Sequence, residues 1–310
     1  MKNSQNNEYS IQTIDLTKKF GNKTAVNHLN LTIKKGELFS ILGHNGAGKT
    51  TIIKMLCCLL KPTSGTALVL GHDIINESNS VKQIINVSPQ ETAIANHLTT
   101  YENLQLIARL YGLNKKDTIS RTEQLIDQID LRERARDQVK KLSGGMQRRL
   151  SIAMALISDP DILFLDEPSL GLDPQARRNL WKEIVKLKGN KTIILTTHYL
   201  EEADALSDRI AIIKSGNLES IGTPTEIKAK FSGLQTMIIR GRNISIEAVN
   251  ELKNKYNNLQ SSNNQIESSS EHLVFDEIVD SLRSNGVKID WLSMKEASLD
   301  DVFLSLNKEI

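Results

Sequence analysis

One short stretch, residues 41–51, constrains the fold of this chain more than any other part of its sequence. An apolar run, Leu38–Leu42, predicts a buried strand, and a helical pattern of apolar residues begins at Lys49. The loop between them contains three glycines, which permit backbone conformations that a Cβ would forbid. A strand, a glycine-rich turn and a helix in this order predict an α/β fold.

The loop matches the phosphate-binding pattern G-x-x-x-x-G-K-[ST]. In this pattern, backbone amides and the positive end of the following helix surround a polyphosphate. Lys49 is expected to reach the β- and γ-phosphates, and the hydroxyl of Thr50 to be a ligand of Mg²⁺. The residues predicted to bind phosphate are Gly43, His44, Asn45, Gly46, Ala47, Gly48, Lys49, Thr50 and Thr51.

Length, charge and polarity narrow the class of protein. The 310 residues suffice for a full core, in two domains, and the net charge of +2 gives no field that indicates a nucleic-acid partner. Residues 1–7 lack the apolar core of a signal peptide, and no apolar run approaches the roughly 18 residues that span a bilayer. We therefore expect a cytoplasmic protein that binds no nucleic acid.

Two further segments near the loop predict strands that lead to polar or aromatic side chains. Alternation over residues 9–35 predicts an antiparallel β layer that contains Phe20. The local pattern favours a core position for this ring, although it could also stack on an adenine. Residues 67–70 and 84–87 predict strands, and Gln90 follows the second, where an amide can reach a metal ion above a sheet edge.

A helical subdomain is predicted over about residues 91–157. Apolar residues recur at helical spacing in residues 104–110 and 119–131. A further helix follows Leu142–Gln147, with Ser143 suited to its N-cap and two glycines leaving its first amides bare. This is a second anion site of the same physical kind as the first, although the motif alone also fits an ordinary capped helix.

Two segments, Ile162–Leu165 and Lys191–Thr197, predict strands buried on both faces of a parallel sheet. The first delivers Asp166 and Glu167 to the sheet edge, and the second delivers His198. The first acid is suited to hold Mg²⁺, and the second to orient or deprotonate a water. The histidine is placed to donate a hydrogen bond to a γ-phosphate oxygen, although a lone histidine at a strand end is usually structural.

With these motifs in this order, residues 9–225 resemble the ATP-binding cassette ATPases. The signature departs slightly from its commonest form, because a methionine precedes the glutamine, but its serine and glycines are intact. The resemblance changes the prediction for Phe20, which as the A-loop aromatic stacks on adenine. The matching positions are Gly43–Thr50 (P-loop), Gln90 (Q-loop), Leu142–Gln147 (signature), Ile162–Glu167 (Walker B), Leu172-Asp173 (D-loop) and His198 (switch histidine).

The resemblance implies a P-loop NTPase cassette that works as a head-to-tail dimer. Each ATP then lies between the P-loop of one subunit and the helix start of the other, and the partner ATPase subunit is a second copy or a related chain. Residues with implied nucleotide contacts outside the P-loop are Phe20, Gln90, Ser143, Gly144, Gly145, Asp173 and His198. Implied metal ligands are Thr50, Gln90 and Asp166, and implied catalytic residues are Glu167, His198, Lys49 and Gln90.

The domain prediction is a disordered tail over residues 1–8, the cassette over 9–228 and a small accessory α+β domain over 231–310. The cassette is expected to combine a mixed, mainly parallel sheet with an antiparallel β layer and the helical subdomain. In the accessory domain, serine- and asparagine-rich residues 261–264 and 268–270 predict loops. The elements predicted there, in βαββαβ order, are strand 234–240, helix 244–256, a strand near 271–275, helix 276–284 and strand 287–294.

The end of the chain carries one more pattern. A capping box at Ser298 and Asp301 predicts a last helix with apolar residues at helical spacing. The sequence Ala297–Leu304 looks like the tail of ATPase subunits from drug- and antibiotic-export transporters, although an ordinary packing helix has the same pattern.

The leading functional prediction is an ATP-binding and ATP-hydrolysing transporter subunit. It drives a separate membrane permease, through the surface near Gln90 and residues 91–115, and sits peripherally on the inner face of the membrane. The resemblance favours export of a drug, antibiotic or lipid-like substrate. The alternative is a cytosolic cassette ATPase acting on ribosomes or nucleic acid, but such members carry two cassettes, zinc modules or long coiled coils. A regulator without turnover is disfavoured because Glu167 and His198 are both present.

Overall fold

The computed structural model describes residues 8–231, 235–255, 259–262, 264–270 and 275–295. The chain forms two compact units, residues 1–223 and 224–310. The cassette boundary predicted after residue 228 falls inside the helix Pro224–Phe231, which groups with the second unit.

The first unit alternates strands and helices. In chain order, its strands and helices are β1 (Tyr9–Phe20), β2 (Lys23–Leu29), β3 (Thr32–Lys34), β4 (Leu38–Leu42), α1 (Lys49–Leu56), β5 (Ser64–Val69), β6 (His72–Asp73), α2 (Ser78–Ile84), β7 (Ile85–Ser88), α3 (Thr100–Leu110), α4 (Lys115–Gln128), α5 (Gly144–Leu156), β8 (Ile162–Asp166), α6 (Pro174–Leu187), β9 (Thr192–Thr197), α7 (Leu200–Leu206), β10 (Arg209–Lys214) and β11 (Asn217–Gly222). Two 3-10 turns, Arg132–Arg134 and Val139–Lys141, lie between α4 and α5.

The central sheet has the strand order β11-β10-β4-β9-β8-β7, and its strands are parallel except for β11. Successive side chains of β4, β8 and β9 point to opposite faces of this sheet, and both faces are covered. Phe39, Phe164 and Ile194 pack in a core with α1 and the N-terminal strands. Leu163 and Ile193, one residue earlier in their strands, pack in a second core with α3, α4, α5 and α6. This explains why the strands of the central sheet have continuous apolar sequences.

A separate antiparallel layer covers one face of this arrangement, with the order β2-β1-β5-β6 and β3 paired with β1. The antiparallel layer predicted over residues 9–35 is confirmed, and β5 and β6 join it after the chain has passed through α1. The strand predicted over residues 84–87 is confirmed as β7 (Ile85–Ser88), which belongs to the central sheet.

The helical subdomain contains the predicted helices, here α3, α4 and α5, but α4 in this subdomain and α1 outside it differ from the prediction at one boundary each. Asn114 caps α4 by accepting from the amide of Asp117, so the helix begins four residues before the predicted start at residue 119. The helix after the glycine-rich loop ends at Leu56, because Cys58 adopts a left-handed conformation (φ 56°) and the chain turns away. The apolar pattern of that helix could be continued by Leu59 or Leu60; Leu59 is 64% exposed, whereas Leu60 packs partly buried against the core.

The second unit contains a four-stranded antiparallel sheet with the order β13-β14-β12-β15 and two helices packed on it. Its elements are α8 (Pro224–Phe231), β12 (Gln235–Arg242), α9 (Ile246–Lys255), β13 (Leu259–Ser262), β14 (Gln265–Ser270), α10 (Phe275–Ser284) and β15 (Lys288–Lys295). From β12 onward, this is the βαββαβ order of the sequence prediction.

Two predictions in the second unit are wrong. Of the segments predicted as loops, Ser261, Ser262 and residues 268–270 lie in strands β13 and β14, whereas Asn264 lies in a turn. Cross-strand pairs such as Ile239 with Ile266 outweigh the weak strand propensity of serine. The strand predicted near residues 271–275 is not found at Phe275, which begins α10. Residues 271–274 lie outside the described residues, as do the predicted last helix and the segment Ala297–Leu304.

Candidate functional site

The candidate site lies at one edge of the central sheet, where the neighbouring parallel strands β4, β9, β8 and β7 end. The glycine-rich loop follows β4, His198 follows β9, Glu167 follows β8, and Gln90 follows β7. The carboxyl ends of parallel strands meet at one edge, so topology alone brings these four segments together.

The loop after β4 is held close to neighbouring backbone, and two of its glycines are required by that approach. A Cβ on Gly43 would lie 2.4 Å from the carbonyl oxygen of Ile213, and a Cβ on Gly48 would lie 2.3 Å from that of Ala25. Gly48 also has φ 111°, a conformation that L side chains rarely adopt. The loop therefore leads directly into the N-terminus of α1 with its amides close to the cavity described next.

A cavity of about 380 Å³ opens above this loop. It brings together most of the predicted site residues from five separate segments of the sequence. The predicted residues that line it are Phe20, Asn45, Gly46, Gly48, Lys49, Thr50, Thr51, Gln90, Glu167 and His198. Gly43, His44, Ala47 and Asp166 lie next to it, in the loop and at the end of β8, without lining it.

Lys49 is buried beneath the cavity, with 6% of its side chain exposed. Its Nζ donates to the carbonyl oxygens of Gly43, at 2.7 Å, and His44, at 3.1 Å, and lies 3.0 Å from Oε1 of Glu167. An ammonium group has three donors, so each has a partner within the site. A phosphate oxygen must replace one of these partners before it can bind Lys49.

Glu167 is the centre of the polar contacts in this cavity. Its Oε1 pairs with Lys49, and its Oε2 contacts Nδ1 of His198. Its backbone adopts φ 50°, in the left-handed region, and its amide donates to the backbone oxygen and Oγ1 of Thr196. The contacts place a cation and an imidazole against the two oxygens of one buried carboxylate.

Asp166, one residue earlier, points to a different set of groups. Its Oδ1 accepts from the hydroxyl of Thr50 at 3.2 Å and from that of Thr196 at 2.5 Å. A carboxylate and a hydroxyl are the hard oxygen ligands that Mg²⁺ takes from a protein, with phosphate oxygens and water completing its shell. Among the described residues, no group of three or more His, Cys, Asp and Glu is arranged to hold a metal ion.

Phe20 occupies the outer side of the cavity at the end of β1 and is 50% exposed. The local sequence pattern favoured a core position for this ring, which is wrong, and the position implied by the family resemblance agrees with its exposure. Lys18 Nζ lies 5.1 Å from the ring centroid. An exposed aromatic face beside a phosphate-binding loop can accept a stacked base.

The signature and D-loop residues lie outside this cavity. Ser143 caps α5 by accepting from the amide of Met146, and Asp173 caps α6 by accepting from two amides of its first turn. Among the described residues, the lining of this cavity does not include Ser143, Gly144, Gly145 or Asp173. Gly144 is exposed, and a Cβ at this position would meet no neighbouring atom within 4 Å.

The sequence reasoning missed several residues that shape the site. Lys23, Ala25 and Leu170 also line the cavity, and Thr196 supports both acids at the end of β8. Arg148 is 4% exposed and donates to four carbonyl oxygens around the site. No local pattern distinguishes it from the adjacent Arg149, and nothing local shows what it binds.

The buried Glu202 on α7 was missed as well. Its Oε1 accepts from the indole N–H of Trp181 at 3.0 Å, and burial raises the pKa of its carboxyl. Because Trp181 lies on α6 and Glu202 on α7, this hydrogen bond links the two helices next to His198.

The described helices include none long and apolar enough to cross a bilayer.

Similar proteins cover most of the first unit. The family model described as ABC transporter matches residues 26–170. The daunorubicin resistance ATP-binding protein DrrA3 of Streptomyces coeruleorubidus is 41% identical over 217 residues, 70% of this chain and 69% of that protein. The linearmycin resistance ATP-binding protein LnrL of Bacillus subtilis is 38% identical over 242 residues, 78% of this chain and 76% of that protein.

Longer relatives match over the same region. The chain is 46% identical over 227 residues to ABC transporter A family member 9 of Dictyostelium discoideum, but spans 27% of its length. A dimeric structure of the ATP-binding cassette MJ0796, in a post-hydrolysis state with ADP and Pi, is 28% identical with a TM-score of 0.62. The match covers 69% of this chain and 98% of that one. By its motifs, its fold and these relatives, the chain belongs to the ABC transporter family as one of its ATP-binding and ATP-hydrolysing subunits.

Proposed function

We propose that the cavity binds MgATP between two subunits and that its hydrolysis drives a separate membrane permease. The observation that carries this proposal is the position of Glu167. Its two carboxylate oxygens contact Lys49 and His198 at the glycine-rich loop that follows β4. A base, a cation and a hydrogen-bond donor in one buried site are the groups that phosphoryl transfer to water requires.

The contacts of Lys49 support an order of events on binding. A γ-phosphate oxygen displaces Oε1 of Glu167 from Nζ of Lys49, which frees the carboxylate to accept a hydrogen bond from a water. Glu167 polarises that water, and His198 and Lys49 stabilise the negative charge that develops on the transferred phosphoryl group. Thr50, Asp166 and the amide oxygen of Gln90 would hold Mg²⁺, which would supply positive charge against the negative charge of the phosphates.

The remaining contacts hold the nucleotide. The P-loop amides and the first turn of α1 surround the β- and γ-phosphates. The ring of Phe20 stacks on adenine, which is worth about 1–3 kcal/mol per base in comparable sites. Lys23, next to Phe20 in the cavity lining, adds a cation on the side where the nucleotide enters.

The second half of the site comes from another subunit. Ser143 and the bare amides of α5 form an anion-binding helix start, but they do not line the cavity of their own chain. In the proposed head-to-tail dimer, this helix start and Asp173 meet the γ-phosphate held by the P-loop of the partner. ATP thereby joins two positive helix ends, and hydrolysis releases them.

Mixing two defective subunits tests this arrangement. Lys49→Ala and Ser143→Arg are each expected to abolish hydrolysis when all subunits carry the change. A mixed dimer retains one intact site, formed by the P-loop of the Ser143→Arg subunit and the α5 helix of the Lys49→Ala subunit. We expect measurable ATPase activity to return on mixing. A mixture as inactive as its components would contradict a site shared between subunits.

The surface proposed for the permease lies on the helical subdomain. Leu106 and Leu110 on α3 are 45% and 74% exposed, and Tyr111, directly after this helix, is 47% exposed. Exposed apolar side chains grouped on one surface are typical of an interaction site. The resistance functions named for two relatives support export, and an apolar drug, antibiotic or lipid is the substrate class we propose.

Co-purification from membranes tests the transport assignment. Wild-type protein is expected to sediment with membranes and to retain a polytopic membrane protein after mild detergent extraction. Leu110→Lys should release it, since a charge cannot enter an apolar contact, and a lysine at the C-terminal end of a helix is compatible with the helix dipole. The readout is the membrane-bound fraction at equal ATPase activity.

The matched control is Val185→Lys, at an exposed apolar position in the last turn of α6. It adds the same charge at an equivalent helical position and should leave the membrane-bound fraction unchanged. A pool bound to ribosomes, with no membrane protein attached, would instead support the cytosolic alternative.

A further inference from the structure

Arg148 lies in the first half of α5, directly after the signature motif, and is 4% exposed. Its Nε donates to the carbonyl oxygen of Pro168 at 2.7 Å, and its Nη2 to that of Asp166 at 2.8 Å. Its Nη1 donates to the carbonyl oxygen of Pro89 at 2.5 Å and approaches that of Gln90 at 3.4 Å. One guanidinium therefore binds backbone oxygens in two separate loops.

The carbonyl oxygens that Arg148 binds belong to two segments of the proposed active site. Those of Asp166 and Pro168 lie on either side of Glu167, the residue proposed as the base. Those of Pro89 and Gln90 belong to the segment after β7 that contains the proposed metal ligand. Through Arg148, the signature helix is joined to both segments by direct hydrogen bonds.

Arginine suits this position for a chemical reason. Its planar guanidinium presents five donors in a fixed fork, whereas the ammonium of lysine is a compact donor that cannot reach carbonyls on several sides. Burial lowers the pKa of Arg148 to about 10, and the acidic groups of Asp166, Glu202 and Glu167 favour its charged form. The side chain is therefore a cation at neutral pH, and its hydrogen bonds to carbonyls are charge-assisted.

The backbone at Glu167 needs such support. Its φ of 50° is in the left-handed region, which is unfavourable for a residue with a Cβ and persists where surrounding contacts enforce it. Thr196 accepts from the amide of Glu167, and Arg148 donates to the carbonyl oxygens of the preceding residue, Asp166, and the following residue, Pro168. Together these contacts determine where the carboxylate of Glu167 points.

We propose that Arg148 is a positioning residue for ATP hydrolysis, which keeps the backbone around Glu167 in its catalytic conformation and couples it to the backbone at Gln90. The proposal rests on the assignment of Glu167 as the base. It predicts that movement of the segment at Gln90, on the proposed permease side, changes the orientation of the carboxylate through one side chain.

Arg148→Lys tests the proposal, with Arg149→Lys as the matched control. Arg149 is the next residue of α5, and its guanidinium lies 3.7 Å from Asp130, away from the site carbonyls. We expect Arg148→Lys to lower kcat for MgATP about 10- to 100-fold, as expected for a misplaced catalytic group, and to change KM less than threefold. Activity is expressed per nucleotide-binding site, so loss of folded protein does not mimic a lower kcat.

Hydrogen–deuterium exchange provides a readout independent of catalysis. In Arg148→Lys, peptides covering residues 85–91 and 162–170 should both exchange faster than in wild type, and neither should change in Arg149→Lys. If Arg148→Lys does not fold, Arg148→Gln, which keeps one donor group, is measured in the same way.

The outcomes separate this inference from the proposed function. If Glu167→Gln hydrolyses ATP at the parent rate, the assigned base is wrong, while the exchange data still decide whether Arg148 holds both segments. If Glu167→Gln is inactive and Arg148→Lys keeps the parent kcat, the positioning role is overturned. Faster exchange in one segment alone would refute the coupling between them.

Discussion

Glu167→Gln is expected to lower kcat for ATP by about 10²- to 10⁴-fold, the range that a positioned general base contributes. An amide keeps the size of the side chain but accepts a proton far less readily than a carboxylate. Hydrolysis by the purified protein, measured as phosphate release, reads the effect. Glu201→Gln, an exposed change in the first turn of α7, is the control and should be neutral.

The same change is expected to tighten ATP binding. Glu167 occupies one of the three donors of Lys49, and an uncharged amide competes less strongly than a carboxylate with a phosphate oxygen. With hydrolysis blocked, ATP should also hold the two subunits together, giving a dimer in size-exclusion chromatography with ATP and a monomer without it. A parent rate of hydrolysis would refute the assignment of the base, and a monomer in saturating ATP would refute nucleotide-dependent dimerisation.

Lys49→Ala is expected to weaken ATP binding about 10- to 150-fold, because a charged hydrogen bond contributes about 1.5–3 kcal/mol. It is also expected to destabilise the fold. Lys49 and Glu167 are each 6% exposed, and removing one member of a buried pair costs about 3–5 kcal/mol when the other charge is left without compensation. His198 still contacts Glu167, so we expect the low end of this range.

Titration calorimetry measures the affinity, and urea unfolding measures the stability. Lys54→Ala, at an exposed position on the same helix, is the control for both. The double variant Lys49→Ala/Glu167→Gln removes both charges, so it should regain stability without regaining nucleotide affinity. Unchanged ATP affinity in Lys49→Ala would remove the basis for a phosphate site in this loop.

The sequence by itself determined the local parts of this protein. Strand Leu38–Leu42, the glycine-rich loop and the start of α1 follow from apolar periodicity and from glycine positions that require close backbone approach. The cap at Ser143 and the buried strands that end at Asp166 and Thr197 follow in the same way. Each of these features depends on residues near each other in the chain, so pattern and spacing suffice to predict them.

The tertiary structure decided which of these parts meet. Only strand order places β9 between β4 and β8, and so brings His198 and Lys49 to the two oxygens of Glu167. The carbonyl partners of Arg148 and the pairing that turns a serine-rich segment into strand β14 are equally invisible to local pattern. Pairing between distant segments is set by long-range packing and backbone hydrogen bonds, which outweigh the weak preferences of the individual residues.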